Sequence, residues 1–220
     1  MEPVVVVGAD DPFTSDVLET LGRLNTEVAA GVMTAPPGWN LAPLAVVLQD
    51  EEVCDLLAVH KAVLGSNAPR NRRRVQRFAV RVGFSQFPAI VDPTAVVASS
   101  ARLADGAYVN ALSVLGGQAV LGAYAIVNRG ASLGHHSVAE EFAMLGPGAV
   151  VGSNCRICEG ATLGAGAVVR PDTVVGPGAI VGAGAVVVKD VKANAIVVGT
   201  PARAINEAPD WGDEGAGDRA

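Results

Sequence analysis

The sequence predicts a parallel β-helix preceded by a small α/β unit, and three regularities carry the prediction. Between Val109 and Lys192 the chain repeats every six residues without a break, as fourteen hexads. The first position of each hexad, from Val109, Leu115 and Leu121 onward to Val187, is a branched aliphatic everywhere except Ala139. The fifth position is small from Ser113 through Cys155 to Ala185, until Val191 ends the run. From Leu145 onward the second and fourth positions are mostly Gly, Asn or Asp, types that tolerate the left-handed backbone of a sharp corner. Self-similarity at so short a period marks a solenoid.

A six-residue unit supplies one short strand and one corner, so three hexads make a triangular coil. The first-position aliphatic and the fifth-position small residue face a narrow interior, while the third and fourth positions lie outside at the corners. Successive coils bond through their backbones at ~4.8 Å per coil. Glycine and β-branched residues at this density oppose a helix. Two further hexads, from Ile90 and Val96, precede the array, with one extra residue near Arg102 shifting the frame. The solenoid is therefore assigned to residues 89–205.

Residues 1–88 lack the hexad and read as alternating strands and helices. Val4–Val7, ending at Gly8, is a buried parallel strand. Thr14 or Ser15 caps a helix that runs through Arg23. A second strand spans Glu27–Met33, a loop follows at 34–40, and a short helix covers Glu51–Leu57. A third strand ends at Leu64 before Gly65-Ser66-Asn67, and a helix over Pro69–Val82 carries Arg70, Arg72, Arg73, Arg74 and Arg77. The sum is a truncated doubly wound, Rossmann-like domain. The arginines either hold phosphates of a nucleotide-linked substrate or form a solvated helix face. Residues 206–220, rich in Asp, Glu, Gly and Pro, read as a disordered acidic tail.

Composition narrows the function. Half of the 220 residues are hydrophobic but only 4% are aromatic, which suits a thin aliphatic interior. A formal charge of −6 argues against general nucleic-acid binding. The N-terminus lacks a basic region followed by a long apolar segment, so no signal peptide or membrane span is expected and a cytoplasmic location is the default. Cys155 and Cys158 form a C-x-x-C, but Cys155 falls in an inward slot and no second pair completes a zinc site, so both read as structural.

The chemistry rests on His135 and His136, the third and fourth residues of the hexad Leu133–Val138. That position puts them outside the core at a coil corner, where an imidazole suits a general base. His60 lies between elements of the first domain and reads as structural.

The N-terminal β-α unit, the GSN and arginine-rich helix, and the opening PAIVDPTAVVASSA together resemble the NeuD/PglD-type sugar acetyltransferases. So does the stretch from Val127 to His135, which matches their active-site motif, and the close KDVKANAIVVGTPARAI is similar to that of hexapeptide acyltransferases generally. The resemblance implies a left-handed β-helix, a homotrimer, and direct acetyl transfer from acetyl-CoA to an amino or hydroxyl group of a sugar or nucleotide-sugar. It implies that His135 is the catalytic base and that Asn128, His136 and Glu141 serve the acceptor. Gly146, Gly164, Gly182, Pro201 and Arg203 are expected to contact the donor, with no metal. Where the family has a Gly-rich turn for the nucleotide, this chain has Gly8-Ala9-Asp10-Asp11-Pro12, which points away from a UDP-sugar. His136 stands where a carboxylate commonly tunes the base, and Glu140 or Glu141 is the expected substitute. Two other readings compete. A zinc-dependent β-helix enzyme needs three separated histidine ligands, whereas His135 and His136 are adjacent and expected to diverge. A non-catalytic trimeric scaffold would keep the fold alone.

Overall fold

The computed structural model describes residues 2–34, 47–48 and 60–212. It divides into two units, Met1–Pro93 and Thr94–Ala220, so the division falls a few residues beyond the expected 88/89 boundary.

In the first unit the valine run Val4–Val7 is the fully buried strand β1. Helix α1, Thr14–Arg23, leads to β2, Val28–Val32. Strands β3, Val47–Leu48, and β4, Lys61–Leu64, are followed by helix α2, Pro69–Arg81. The strands form one parallel sheet in the order β3-β2-β1-β4. The expected helix at 51–57 and most of the loop at 34–40 lie outside the described residues. Neither Thr14 nor Ser15 caps α1. The cap position is Phe13, and the Thr14 hydroxyl instead donates to the carbonyls of Gly8 and Gly65 at 3.2 and 3.3 Å. Sequence spacing could not distinguish a hydroxyl that closes a helix from one that ties two loops together.

Two buried charges fasten this unit. Arg72 is only 2% exposed and donates through Nη1 to the carbonyls of Leu64 and Ser66, so it holds the exit of β4, while Arg74 and Arg77 on α2 are exposed. Asp92 is fully buried and accepts from the Thr20 hydroxyl at 3.0 Å and from Arg23 Nε at 2.8 Å. Removing one partner of such a pair strands the other without a counter-charge.

The second unit is a β-solenoid whose two-residue strands stack in three sheets, parallel except where the last strand joins one of them. Each strand pairs with the one a full coil later: Ile126 with Met144, Ser132 with Val150, Val138 with Arg156. The interior is built as the hexad predicts. Val109, Leu121, Val127, Leu145 and Ile157 are fully buried, as are the fifth-position Ser113, Ala119, Ala131 and Ser137.

Three sequence expectations are corrected here. No extra residue intervenes near Arg102, because Ile90–Val91, Val96–Val97, Arg102–Leu103 and Tyr108–Val109 follow one another at a constant interval. Both residues of Ile90–Val91 and of Val96–Val97 are aliphatic, so the sequence did not reveal which one turns inward; Val96, 64% exposed, faces out. The second and fourth corner positions do different work. Left-handed backbone occurs at the fourth, at Leu112, Gln118, Tyr124, His136 and Phe142 with φ between 56 and 60°, as well as at glycines. At the second position glycine is common because the next coil comes close: a Cβ on Gly116 would lie 2.7 Å from the His135 nitrogen of that coil, although Asn128 and Glu140 hold the same slot in other coils.

The acidic tail is ordered as far as residue 212, and the rest of the segment expected to be disordered lies outside the described residues. Asn206 and Glu207 complete the strand Arg203–Glu207, which runs antiparallel to Ala195–Val198. Beyond it Trp211 is 5% exposed, its indole N–H donating to Glu159 Oε1 at 2.7 Å and its ring against Phe142. The indole occupies the space over Gly160 and the Trp211 Cβ that over Gly178, two corners without side chains, and the ring extends the stack of Tyr124 on Phe142 at 5.1 Å. An aromatic group in an otherwise acidic segment outweighed its composition. Replacing Trp211 with Ala is expected to lower stability by about 3 kcal/mol. Gly160→Ala, which puts a methyl group into the indole, should do the same; both are measurable by denaturant unfolding of the whole chain.

Candidate functional site

Strand Ser132–Leu133 buries Leu133 and leads into the corner that carries both histidines. The backbone fixes this corner on two sides. The His136 N–H donates to the Gly117 carbonyl at 3.0 Å in the preceding coil, and the His135 carbonyl accepts from Asn154 in the next at 3.1 Å. His136 has φ 59°, so its side chain leaves the corner in a direction that an ordinary strand residue could not take. The two exposed rings meet edge to face at 89°, with Nδ1 of each 3.0 Å apart. They converge where the sequence reading expected divergence, because the left-handed fourth residue turns its ring back over the third.

A contact between two Nδ1 atoms holds one proton. When His135 Nδ1 carries it and His136 Nδ1 accepts it, the remaining nitrogen of His135, Nε2, has a free lone pair directed to solvent. His136 can thus fill the orienting role that a carboxylate plays beside other histidine bases. Glu140, one of the expected substitutes, is committed elsewhere: its carboxylate pairs with Arg156 and accepts from the Glu159 N–H at 3.0 Å. Glu141 is exposed at the corner that follows strand Val138–Ala139, one corner beyond the histidines.

The remaining expected residues lie at other corners of the solenoid. Asn128 follows strand Ile126–Val127 and is 2% exposed, its Oδ1 accepting from Asn110 Nδ2 at 2.9 Å and from Arg129 N–H at 2.8 Å. Gly146, Gly164 and Gly182 continue the Asn128 column in later coils, and each faces close backbone or side-chain atoms of the coil above; a Cβ on Gly182 would lie 2.7 Å from Val198 Cγ1. Arg203 lines a cleft of about 480 Å³ with Lys189, Lys192, Val187, Val188 and Ala202; Pro201 is exposed outside that lining. The two lysines were missed in the sequence because they fall where the hexad decays. Lys189 occupies, three coils on, the same corner position as His135, roughly 14 Å away at the strand spacing.

Cys155 and Cys158 are both buried. Burial is the main cause raising each thiol above its ordinary range, and Cys155 Sγ donates to the Arg170 carbonyl at 3.1 Å. Among the described residues there is no group of three or more His, Cys, Asp or Glu that could hold a metal ion, and no helix long and apolar enough to cross a membrane.

Comparisons with known proteins bear on this geometry. The family model described as bacterial transferase hexapeptide (six repeats) matches residues 155–189. A histidine-to-alanine variant of GDP-perosamine N-acetyl transferase from Caulobacter crescentus, solved with CoA and GDP-perosamine, is 30% identical over 93% of this chain and 97% of its own, with a TM-score of 0.84. The acetyltransferase domain of PglB from Neisseria gonorrhoeae, in complex with acetyl coenzyme A, is 29% identical over 93% of this chain and 98% of its own, with a TM-score of 0.82. WeeI from Acinetobacter baumannii shares the fold at 23% identity and a TM-score of 0.82, over 93% of this chain and all of its own. No curated protein matches the sequence.

The raised thiols generate a simple expectation, since less thiolate forms at any given pH. In the folded protein at pH 8, Cys155 and Cys158 should resist alkylation, and unfolding should label both, as read by peptide mass spectrometry.

Proposed function

The chain belongs to the sugar acetyltransferases of the left-handed β-helix, hexapeptide-repeat superfamily, and from that membership we propose that it transfers acetyl from acetyl-CoA to an amino or hydroxyl group of a sugar, with His135 as general base. The observation that carries this reading is the corner pair itself, two exposed imidazoles whose Nδ1 atoms lie 3.0 Å apart. His135 Nε2 takes the proton of the acceptor's nucleophile as that atom bonds to the acetyl carbonyl, and returns it to the CoA sulfur when the thioester C–S bond breaks. The charge that develops on His135 is then shared through its Nδ1–H with the neutral His136, which acts as an acceptor and keeps the ring in the reactive tautomer.

The donor fits the residues present. Lys189, Lys192 and Arg203 outnumber the single carboxylate of Asp190 on one cleft, which leaves it net positive and suited to the phosphates of CoA, beside the aliphatic Val188 and Ala202. When bound, acetyl-CoA supplies the acetyl group as an activated thioester. Gly146, Gly164 and Gly182, whose N–H and C=O groups already bond within the solenoid, would serve the donor's arm only by keeping their corner column free of side chains. Asn128, with its carbonyl already engaged, would serve the acceptor by holding the backbone of Arg129. Glu141 would reach the acceptor only from the neighbouring corner.

The active assembly is read as a homotrimer. Val96, Val114 and Val150 stand in one sheet of the solenoid and are 64, 44 and 44% exposed, an outward column interrupted by Ser132 that a second copy would cover. The strand leading to His135 belongs to that same sheet. The N-terminal unit is read as a small Rossmann-like domain that contributes to acceptor recognition.

Calorimetric titration with acetyl-CoA decides the central reading. Micromolar binding by the wild-type protein, kept in His135→Ala while turnover of amino sugars falls about a thousandfold, is the expected outcome. Silence at millimolar acetyl-CoA would sink it and favour a scaffold. His136→Asn, whose amide oxygen can accept from His135 and whose side chain tolerates the left-handed corner, should retain most of kcat. His136→Ala should lose about tenfold or more in kcat with little change in KM. Val150→Arg is expected to yield monomers by light scattering.

A further inference from the structure

The turn between β1 and α1 lies at the carboxyl end of β1, beside the Gly65-Ser66-Asn67 loop that leaves β4. With β2 and β3 on one side of β1 and β4 on the other, this is where strand order reverses, the place at which open parallel sheets receive ligands. A phosphate held there depends on free N–H groups at the start of the following helix.

In this chain those donors already have fixed acceptors. Phe13 N–H donates to Asp11 Oδ1 at 2.9 Å, Thr14 N–H to the Asp11 carbonyl at 2.9 Å, and Ser15 N–H to the Pro12 carbonyl at 3.2 Å. The other Asp11 oxygen, Oδ2, accepts from Ser66 Oγ at 2.9 Å and Asn71 Nδ2 at 3.1 Å, two donors from the opposite loop and helix. Asp10 accepts from the Thr34 N–H at 2.7 Å. Arg72 is turned onto the carbonyls of Leu64 and Ser66, and Arg74 donates to Asn71 Oδ1. The two loops also abut, since a Cβ on Gly65 would lie 2.9 Å from the Gly8 carbonyl oxygen. The buried Asn67 Oδ1 adds an acceptor with no hydrogen-bond partner among the described residues. The crevice therefore holds two carboxylates and a buried amide oxygen without a donor, a set of acceptors that repels a diphosphate.

We propose that Asp11 is a built-in anion that occupies the phosphate position of the β1–α1 turn, so that the acceptor is an amino or hydroxy sugar not carried on a nucleoside diphosphate. The acceptor half of this statement rests on the acetyltransferase reading; the closure of the crevice does not. It separates this chain from the Caulobacter relative, which was solved with a GDP-sugar.

The test titrates GDP and UDP separately into the full-length wild-type protein and into Asp11→Ser and Asp11→Asn, with acetyl-CoA titrated into the same samples. Closure by Asp11 predicts no wild-type heat up to millimolar nucleotide, and affinity increased by about tenfold or more in Asp11→Ser. Micromolar binding of either nucleotide by the wild type overturns the proposal. So does silence from Asp11→Ser when its thermal midpoint matches the wild type. If Asp11→Ser does not fold, Asp11→Asn, which keeps a side-chain acceptor for Phe13 and removes the charge, decides by the same criterion. Loss of acetyl-CoA binding alone would count against the donor assignment and leave the nucleotide result to judge the crevice.

Discussion

The solenoid depends on how closely one coil can approach the next at its corners. Parallel strands stack at the hydrogen-bonding distance only if no side chain stands between successive turns of backbone. Gly152 shows the limit: a Cβ there would lie 2.6 Å from the Pro171 nitrogen of the next coil, and Gly176 meets Ala193 in the same way. The small fifth-position residues satisfy the matching constraint on the inside, where fully buried Ala119, Ala125 and Ala131 leave room for Leu121, Val127 and Leu133. Together these two restrictions hold every coil in the register of the one before it.

Such a scaffold leaves few places for chemistry. The sheets are two residues wide, their inward residues fill the core, and the second corner position is restricted by the approach of the next coil. The third and fourth corner residues are left to project. At the corner of His135 and His136 they form a hydrogen-bonded ring pair, whereas at the corner after Val138–Ala139 the fourth position carries Phe142, which stacks on Tyr124. Trp211 completes that aromatic column over two bare glycines. One geometric rule thus serves a reactive site at one corner and anchors the returning chain at another.

The N-terminal unit follows a different rule, in which polar side chains hold loops. Asp92, Arg72 and Asp11 each gather several partners in or beside the sheet. The consequence for function is electrostatic. Carboxylates that stabilise the β1–α1 turn also determine which ligand charges that turn can accept.

By itself the sequence determined the hexad period, and with it the inward aliphatics, the small interior residues, and the exposure of His135 at a corner. Those features are local, since a six-residue repeat specifies its own strand and turn before any distant contact forms. The valine strand Val4–Val7 and the helix begun by Pro69 were legible for the same reason. The tertiary structure decided what depends on a partner brought from elsewhere in the chain. His136 pairs with His135 because a left-handed corner turns one ring onto the other, and Glu140 is drawn away because Arg156 sits one coil above it. Arg72 is internal although its helix reads as a row of solvated arginines, since two carbonyls near β4 accept from it. Trp211, set in an acidic stretch that composition assigns to disorder, is held by a socket whose glycines lie about thirty and fifty residues earlier in the repeat.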